Sequence, residues 1–243
     1  MIEKDNIFSS GTANKGFAVH DFKGKLLHNF KSKSSTFDPI ISKFCVVNGK
    51  VYHSTPNSEV LIKAMDQNGA ITESFGSPLH YDAPHSYSSR GHILNTSKGE
   101  IIFVGEAIPV IQRYSTQGKL LSSHNLIKHP YFKSFFEGVK ERIRKSARND
   151  MSYLLVQDAQ YVAGKLYLLL YSYNQNYEVS LNKLLVVAGI ESGKLVLEQE
   201  ISLKVPKEHS PNVWFESFCV NPQQEEILAF ESISSSFISY SLN

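Results

Sequence analysis

The densest run of chemically able side chains is His80-Tyr81-Asp82-Ala83-Pro84-His85-Ser86-Tyr87, followed closely by Arg90 and His92. Imidazole nitrogens and a carboxylate are donors that zinc takes, and the same groups can move protons or hold polar ligands. The positions 80, 85 and 92 match no compact zinc pattern, so no metal site is assigned here. Loop histidines are usually hydrogen-bonded or solvated. A ligand or peptide surface made from His80, Asp82, His85, Tyr87 and Arg90 is the reading that these residue types support. Trp214 and Glu216 are candidates to share that surface, although a lone Trp beside an apolar strand is more often core.

A second cluster is basic. In PYFKSFFEGVKERIRKSAR, Lys133, Lys140, Arg142, Arg144, Lys145 and Arg148 outnumber Glu137 and Glu141. Lys140, Arg142, Arg144, Lys145 and Arg148 form a candidate partner surface, set against the plainer reading of a solvated charged face. No catalytic residue is assigned. There is no Gly-x-Ser-x-Gly elbow, no phosphate-binding glycine loop and no His-Glu-x-x-His. The acids Asp38, Asp82, Asp158 and Glu216 lie near expected inner strands but far apart in sequence. A hydrolase would need them to converge.

These groups must be positioned by strands. Residues 92–126 read as four short runs rich in β-branched and aromatic residues, separated by Gly, Ser, Thr and Pro. The turns DFKGKLL, DQNGAIT, STQGKLL and IESGKLV place Gly24, Gly69, Gly118 and Gly193 before an apolar strand. A second marker, VNGKVYHS, SKGEIIFV and VAGKLYLL, lies upstream of the last three, and PQQEEILAF is a fourth copy without glycine. Two markers holding register indicate an all-β fold: a β-propeller of four-stranded antiparallel blades, occupying residues 1–243 as one domain. The blades fall at 7–31, 40–76, 92–126, 151–203 and 213–242. Both ends are then partial, giving five blades or an incomplete six.

Between the third and fourth blades, Phe132, Phe136, Val139 and Ile143 recur at helical spacing, which predicts an amphipathic helical insertion around residues 130–148. Its phenylalanines would pack on the propeller. Cys45 and Cys219 share the tripeptide Phe-Cys-Val and so occupy equivalent inner-strand positions of the second and fifth blades. Those blades are not neighbours, so free thiols are expected, since a bridge needs Cα atoms within roughly 7 Å.

Composition sets outer limits. A net charge of +2 argues against wholesale binding to nucleic acid. No apolar run approaches the roughly 18 residues of a membrane span. The start, MIEKDNIFSS, lacks the basic flank and apolar block of a signal peptide. No cofactor motif is present.

The cadence Asp-x-x-Gly-Lys-Leu-Leu with Gly-Lys-Val-Tyr resembles the NHL-like propellers. With the helix-bearing insertion and the Tyr-rich fourth blade, the chain is similar to the TolB-like six-bladed β-propellers of bacteria. That resemblance implies six blades, frequent export or anchoring at the cell surface, and no assigned activity. The expected function is a non-enzymatic scaffold or binding protein that engages a protein, peptide or glycan through a propeller face. The alternative is a propeller hydrolase with acids, and a metal among its options, at the channel mouth.

Overall fold

The computed structural model describes residues 2–3, 6–11, 15–56, 58–79, 89–127, 129, 132–133, 137, 154–173, 179–203, 215–231 and 234–242. They form five antiparallel sheets in a β-propeller arrangement, each built from strands consecutive in sequence. Blade one contains β1 (Ile2–Glu3), β2 (Asn6–Gly11), β3 (Gly16–Asp21) and β4 (Leu26–Lys31). Blade two contains β5 (Phe44–Val47), β6 (Lys50–Ser54), β7 (Ile62–Met65) and β8 (Ile71–Phe75). Blade three contains β9 (Gly91–Asn95), β10 (Ile101–Gly105), β11 (Val110–Tyr114) and β12 (Leu120–Asn125). Blade four contains β13 (Val156–Val162), β14 (Lys165–Tyr173), β15 (Val179–Ala188) and β16 (Val196–Ser202). Blade five contains β17 (Phe215–Asn221), β18 (Glu226–Glu231) and β19 (Ser236–Ser241).

The chain divides into two compact units, Met1–Ser123 and His124–Asn243, each described by itself. The six blades implied by the TolB-like resemblance are corrected to five among the described residues. Blade four uses strands of nine and ten residues, which take up chain that another blade would need. The first blade is not partial either: the two-residue β1 pairs with β2 through Ile2 with Ile7 and Glu3 with Asn6.

The turn marker has a local cause. Asp21, Asp66 and Ser115 each accept backbone N–H groups two and four residues onward through one side-chain oxygen. Their carbonyls accept the N–H of Gly24, Gly69 and Gly118 at 3.0 Å. The result is a tight side-chain-capped turn whose fourth residue takes positive φ, between 74° and 83° at these glycines. Packing adds a further demand at two of them. A Cβ on Gly69 would lie 1.8 Å from the carbonyl oxygen of Lys31 in blade one. On Gly118 it would lie 2.7 Å from the Phe75 ring of blade two. These turns therefore touch the preceding blade, which no side chain there would allow.

Strand alternation divides the core between blades. Val46, Val51 and Met65 of blade two join Phe8, Phe17 and Phe30 of blade one. Cys45, Tyr52 and Ala64, on the opposite face, join Ile93, Ile101 and Phe103 of blade three. Blade two is thus buried on both faces, which is why its inner strands read as nearly continuous apolar runs. In the second unit, Tyr167, Leu169 and Leu184 of blade four meet Phe218, Val220 and Ile227 of blade five.

Most of the expected helix, including Phe136, Val139 and Ile143, lies outside the described residues. Of that stretch, Phe132, Lys133 and Glu137 are described and are helical in conformation. Phe132 is buried, its ring edge-on to His129 at 6.0 Å, and Lys133 and Glu137 approach to 3.8 Å on the exposed side. Among the described residues, no helix is long and apolar enough to cross a membrane. Both cysteines are free, as their blade positions implied. Cys45 is buried between blades two and three, whereas Cys219 is exposed, on the face of blade five away from blade four.

Candidate functional site

Of the sequence-predicted surface, His80, Asp82, His85, Tyr87 and Trp214 lie outside the described residues, as do Lys140, Arg142, Arg144, Lys145 and Arg148. Arg90, His92 and Glu216 are described. Arg90 immediately precedes the inner strand β9, and His92 is its second residue. Glu216 is exposed on β17 of the second unit.

Around Arg90 the chain builds a fixed platform. The N–H of Leu79 donates to Oγ of the buried Ser89 at 3.1 Å, so residues 79 and 89 are fastened together. The carbonyl of Arg90 accepts the N–H of Glu106 at 2.9 Å. Glu106 is the first residue beyond β10, and the chain reverses there into β11. Antiparallel pairing therefore brings the start of β9 and the end of β10 to one end of blade three, with Gly91 opposite Gly105.

The side chains repeat that linkage. Arg90 Nε stands 2.9 Å from Glu106 Oε2, and His92 Nε2 stands 3.9 Å from Glu106 Oε1. Glu106 is 2% exposed, while the Arg90 side chain keeps 17% of its surface in solvent. Burial pushes the Glu106 carboxyl above its ordinary value, outweighing the opposing pull of Arg90 and of Lys43. Lys43 occupies in blade two the position that Arg90 occupies in blade three, one residue before the inner strand. Its backbone is fixed by Ser54, whose Oγ accepts the Lys43 N–H and whose N–H donates to the Lys43 carbonyl, both at 2.9 Å.

A second buried polar group lies at the same end of blade two. His53, paired with Phe44 at the end of the β5–β6 ladder away from its turn, is fully buried and edge-on to Phe37 at 5.1 Å. Burial lowers its pKa to about 4, with Lys63 adding to the fall and the contact of Nδ1 with the Ser54 carbonyl opposing it. The ring is therefore neutral at physiological pH.

Two of the four acids considered for hydrolysis accept backbone N–H groups. Asp38 caps its own turn, Oδ1 accepting the N–H of Ile40 at 2.9 Å. Asp158 accepts the N–H of Ala159 at 2.9 Å and, through Oδ2, the N–H of Phe218 at 3.2 Å. Glu216 is exposed, and its carbonyl accepts from Gln157. Asp82 lies outside the described residues. No group of three His, Cys, Asp or Glu with metal-holding geometry occurs among the described residues.

Two concavities are found elsewhere in the first unit. One, of about 360 Å³, is lined by Ser9, Ala18, His20, Asn29 and Lys31 on blade one. The other, of about 200 Å³, is lined by Asn48, Lys50, Tyr52, Glu73 and Gln117, at the opposite end of blades two and three from Arg90. Sequence reasoning singled out Arg90 but missed Lys43 and Glu106. Lys43 was readable as the repeat equivalent of Arg90. Glu106 was readable as the one charge inside the apolar run IIFVGEAIPVI.

No protein-family model and no curated protein matches the chain. Solved structures do. Virginiamycin B lyase from Staphylococcus aureus aligns at a TM-score of 0.51 and 10% identity, covering 99% of this chain and 82% of that one. The periplasmic gluconolactonase of Pseudomonas aeruginosa aligns at 0.56 and 11%, covering 97% and 62%, so this chain spans less than two thirds of its length. A member of the DUF4221 family from Bacteroides vulgatus aligns at 0.55 and 10%, covering 98% and 76%. At such identities the likeness establishes the fold alone, and what this chain shares with these proteins is the β-propeller.

Proposed function

We propose that this chain is a non-enzymatic binding propeller that takes a protein, peptide or glycan on the end of blades two and three, where residues 78–91 lead into β9. The observation that carries this reading is the fastening of the two described ends of that segment, at Leu79 and at Ser89–Arg90. Leu79 is tied to Ser89, and Arg90 is held by Glu106 through both backbone and side chain. A polar segment mounted on a fixed base resembles the way binding loops are generally carried on rigid scaffolds. His80, Asp82, His85 and Tyr87 supply the contacts in this proposal, together with Arg90. Trp214 and Glu216, and the basic residues Lys140, Arg142, Arg144, Lys145 and Arg148, are secondary candidates.

The test begins with ligands selected on the immobilised wild-type chain from a glycan array and a peptide-display library. The selected ligands are then titrated against the double variant His85→Ala with Arg90→Ala. Loss of at least about tenfold in affinity, with blade melting retained, supports the reading. Equal binding by the variant rejects it.

The hydrolase alternative draws on the likeness to a gluconolactonase, but Asp38 and Asp158 are occupied in capping and bridging backbone N–H groups. Turnover of a sugar lactone that is lost in Asp82→Asn would favour it instead.

A further inference from the structure

The turn between β5 and β6 is Asn48-Gly49, and both residues take positive φ, 52° and 76°. That is the two-residue hairpin turn that right-twisted strands favour. The matching turn of blade four is Ala163-Gly164, at 50° and 82°, so the turn itself needs no side-chain amide. Asn48 carries one nevertheless, exposed and without a hydrogen-bond partner among the described residues. It lines the concavity of about 200 Å³, to which blade three contributes Thr116 and Gln117 of the β11–β12 turn. The Gln117 amide is likewise exposed and unpartnered among the described residues, while its backbone N–H donates to Ser115. Tyr52 donates its hydroxyl to the Thr116 carbonyl at 3.4 Å, and Gly118 lies against the Phe75 ring. The blade-three turn is thereby held against blade two.

Lys50 and Glu73 complete the polar lining. Lys50 Nζ stands 2.6 Å from Glu73 Oε1, with the two side chains 40% and 27% exposed. Thr72 donates to the other carboxylate oxygen of Glu73. An ammonium has three N–H groups and a carboxylate about four acceptor positions, so both keep capacity for a ligand. The pair leaves the concavity electrically neutral. An added anion would meet Glu73, and an added cation would meet Lys50. A zwitterion would have to open the pair to satisfy its own two charges. A hydroxyl group does neither: it accepts from the ammonium while donating to the carboxylate, and the two free amides offer the same dual role.

We propose that this concavity binds one neutral sugar residue of a glycan through Asn48, Lys50, Glu73 and Gln117. Its volume lies below the roughly 300–1,000 Å³ of drug-sized pockets, which restricts the occupant to a single ring. The site is at the opposite end of blades two and three from Arg90 and is separate from the surface proposed above.

The test is an amide NMR titration of the full chain with the methyl glycosides of glucose, galactose, mannose and N-acetylglucosamine. Sodium acetate and alanine serve as the anionic and zwitterionic comparators. Saturable shifts centred on Asn48, Lys50 and Gln117 are expected with at least one glycoside at millimolar concentration. Acetate and alanine should produce none there. Asn48→Gly keeps positive φ accessible, and Asn48 and Gln117 are exposed, so Asn48→Gly and Gln117→Ala should melt as the wild type does. Each should weaken the sugar about threefold to tenfold, the worth of one hydrogen bond. Glu73→Gln keeps an acceptor for Lys50 but loses the charge, and should weaken it more. The double variant His85→Ala with Arg90→Ala should bind the sugar as the wild type does.

Linear, unsaturated shifts with every glycoside would overturn the proposal. So would saturable binding of acetate or alanine at these residues, or glycoside binding that survives Asn48→Gly combined with Gln117→Ala. A glycoside response lost in the Arg90 double variant and kept in the Asn48 and Gln117 variants would sink this site while upholding the surface at residues 78–91.

Discussion

Between blades two and three, Cys45, Tyr52, Leu61, Ile93 and Phe103 meet with none more than 2% exposed. Between blades four and five an apolar core is joined by a polar ladder on the inner strands. Gln157 donates to the Glu216 carbonyl at 3.2 Å, and Asp158 accepts the Phe218 N–H at 3.2 Å. Gln160 donates to the Phe218 carbonyl and accepts the Val220 N–H. Side chains of β13 thus hold alternate backbone groups of β17 much as another strand would.

The two solutions leave different chemistry over. Apolar contact is non-directional and consumes no polar group, so the inner strands of blades two and three carry their charges at their ends. There Lys43, Arg90 and Glu106 gather. In the second pair the polar residues are engaged in holding register, which is why Asp158, attractive as an acid in the sequence, belongs to the framework. Sites are expected where polar groups remain after the framework is satisfied.

Several substitutions sharpen this contrast. Phe103 is fully buried between blades two and three, and Phe103→Ala should cost about 3–5 kcal/mol. A chemical-denaturation midpoint unchanged from wild type would show that the interface does not bear on stability.

Glu106→Ala removes a buried carboxylate from beside Arg90 and should cost about 3 kcal/mol, most of it recovered when Arg90 is also replaced by Met. Additive losses in the double variant would mean that the pair is not coupled.

His53 gives a prediction in pH. Its unfolded form takes a proton below the ordinary value of 6.5, while the folded form resists until about 4. Stability is therefore fully present above pH 6.5 and is lost as pH falls toward 4, by about 3 kcal/mol. Glu106, raised by burial, works in the opposite sense, so the useful quantity is the difference between wild type and His53→Gln. That difference should shrink with falling pH across this window. A difference that stays constant would place the protonation elsewhere.

Asp158→Ala should cost about 1–3 kcal/mol through an orphaned Phe218 N–H, and should raise amide exchange at Phe218 in particular. Uniform exchange along β17 would argue against a register-holding ladder. At the small end, Phe237 is 71% exposed on β19, and Phe237→Ser should change stability by no more than about 0.5 kcal/mol.

The frame was readable because its causes are local. Asp21, Asp66 and Ser115 cap turns through their own side chains, and Gly24, Gly69 and Gly118 follow at fixed offset, so the repeat is written in adjacent residues. Contact between strands is not local. Nothing beside Glu106 in sequence announces that Arg90 lies 2.9 Å away, because that meeting depends on Gly91 pairing with Gly105. Likewise Asp158 looked like a channel acid, since its partner Phe218 is remote in sequence. Six blades came only from the family resemblance, while the repeat itself read as five or an incomplete six; cadence records repeat type but not the chain length taken by β14 and β15.

The most direct test of where this propeller binds is amide hydrogen exchange of the wild-type chain with and without a selected ligand. Protection should rise at residues 43–45, 89–93 and 105–107 and stay unchanged along β17. Protection confined to β17 and its neighbours in blades four and five, with the Arg90 and Glu106 amides exchanging as before, would contradict the account.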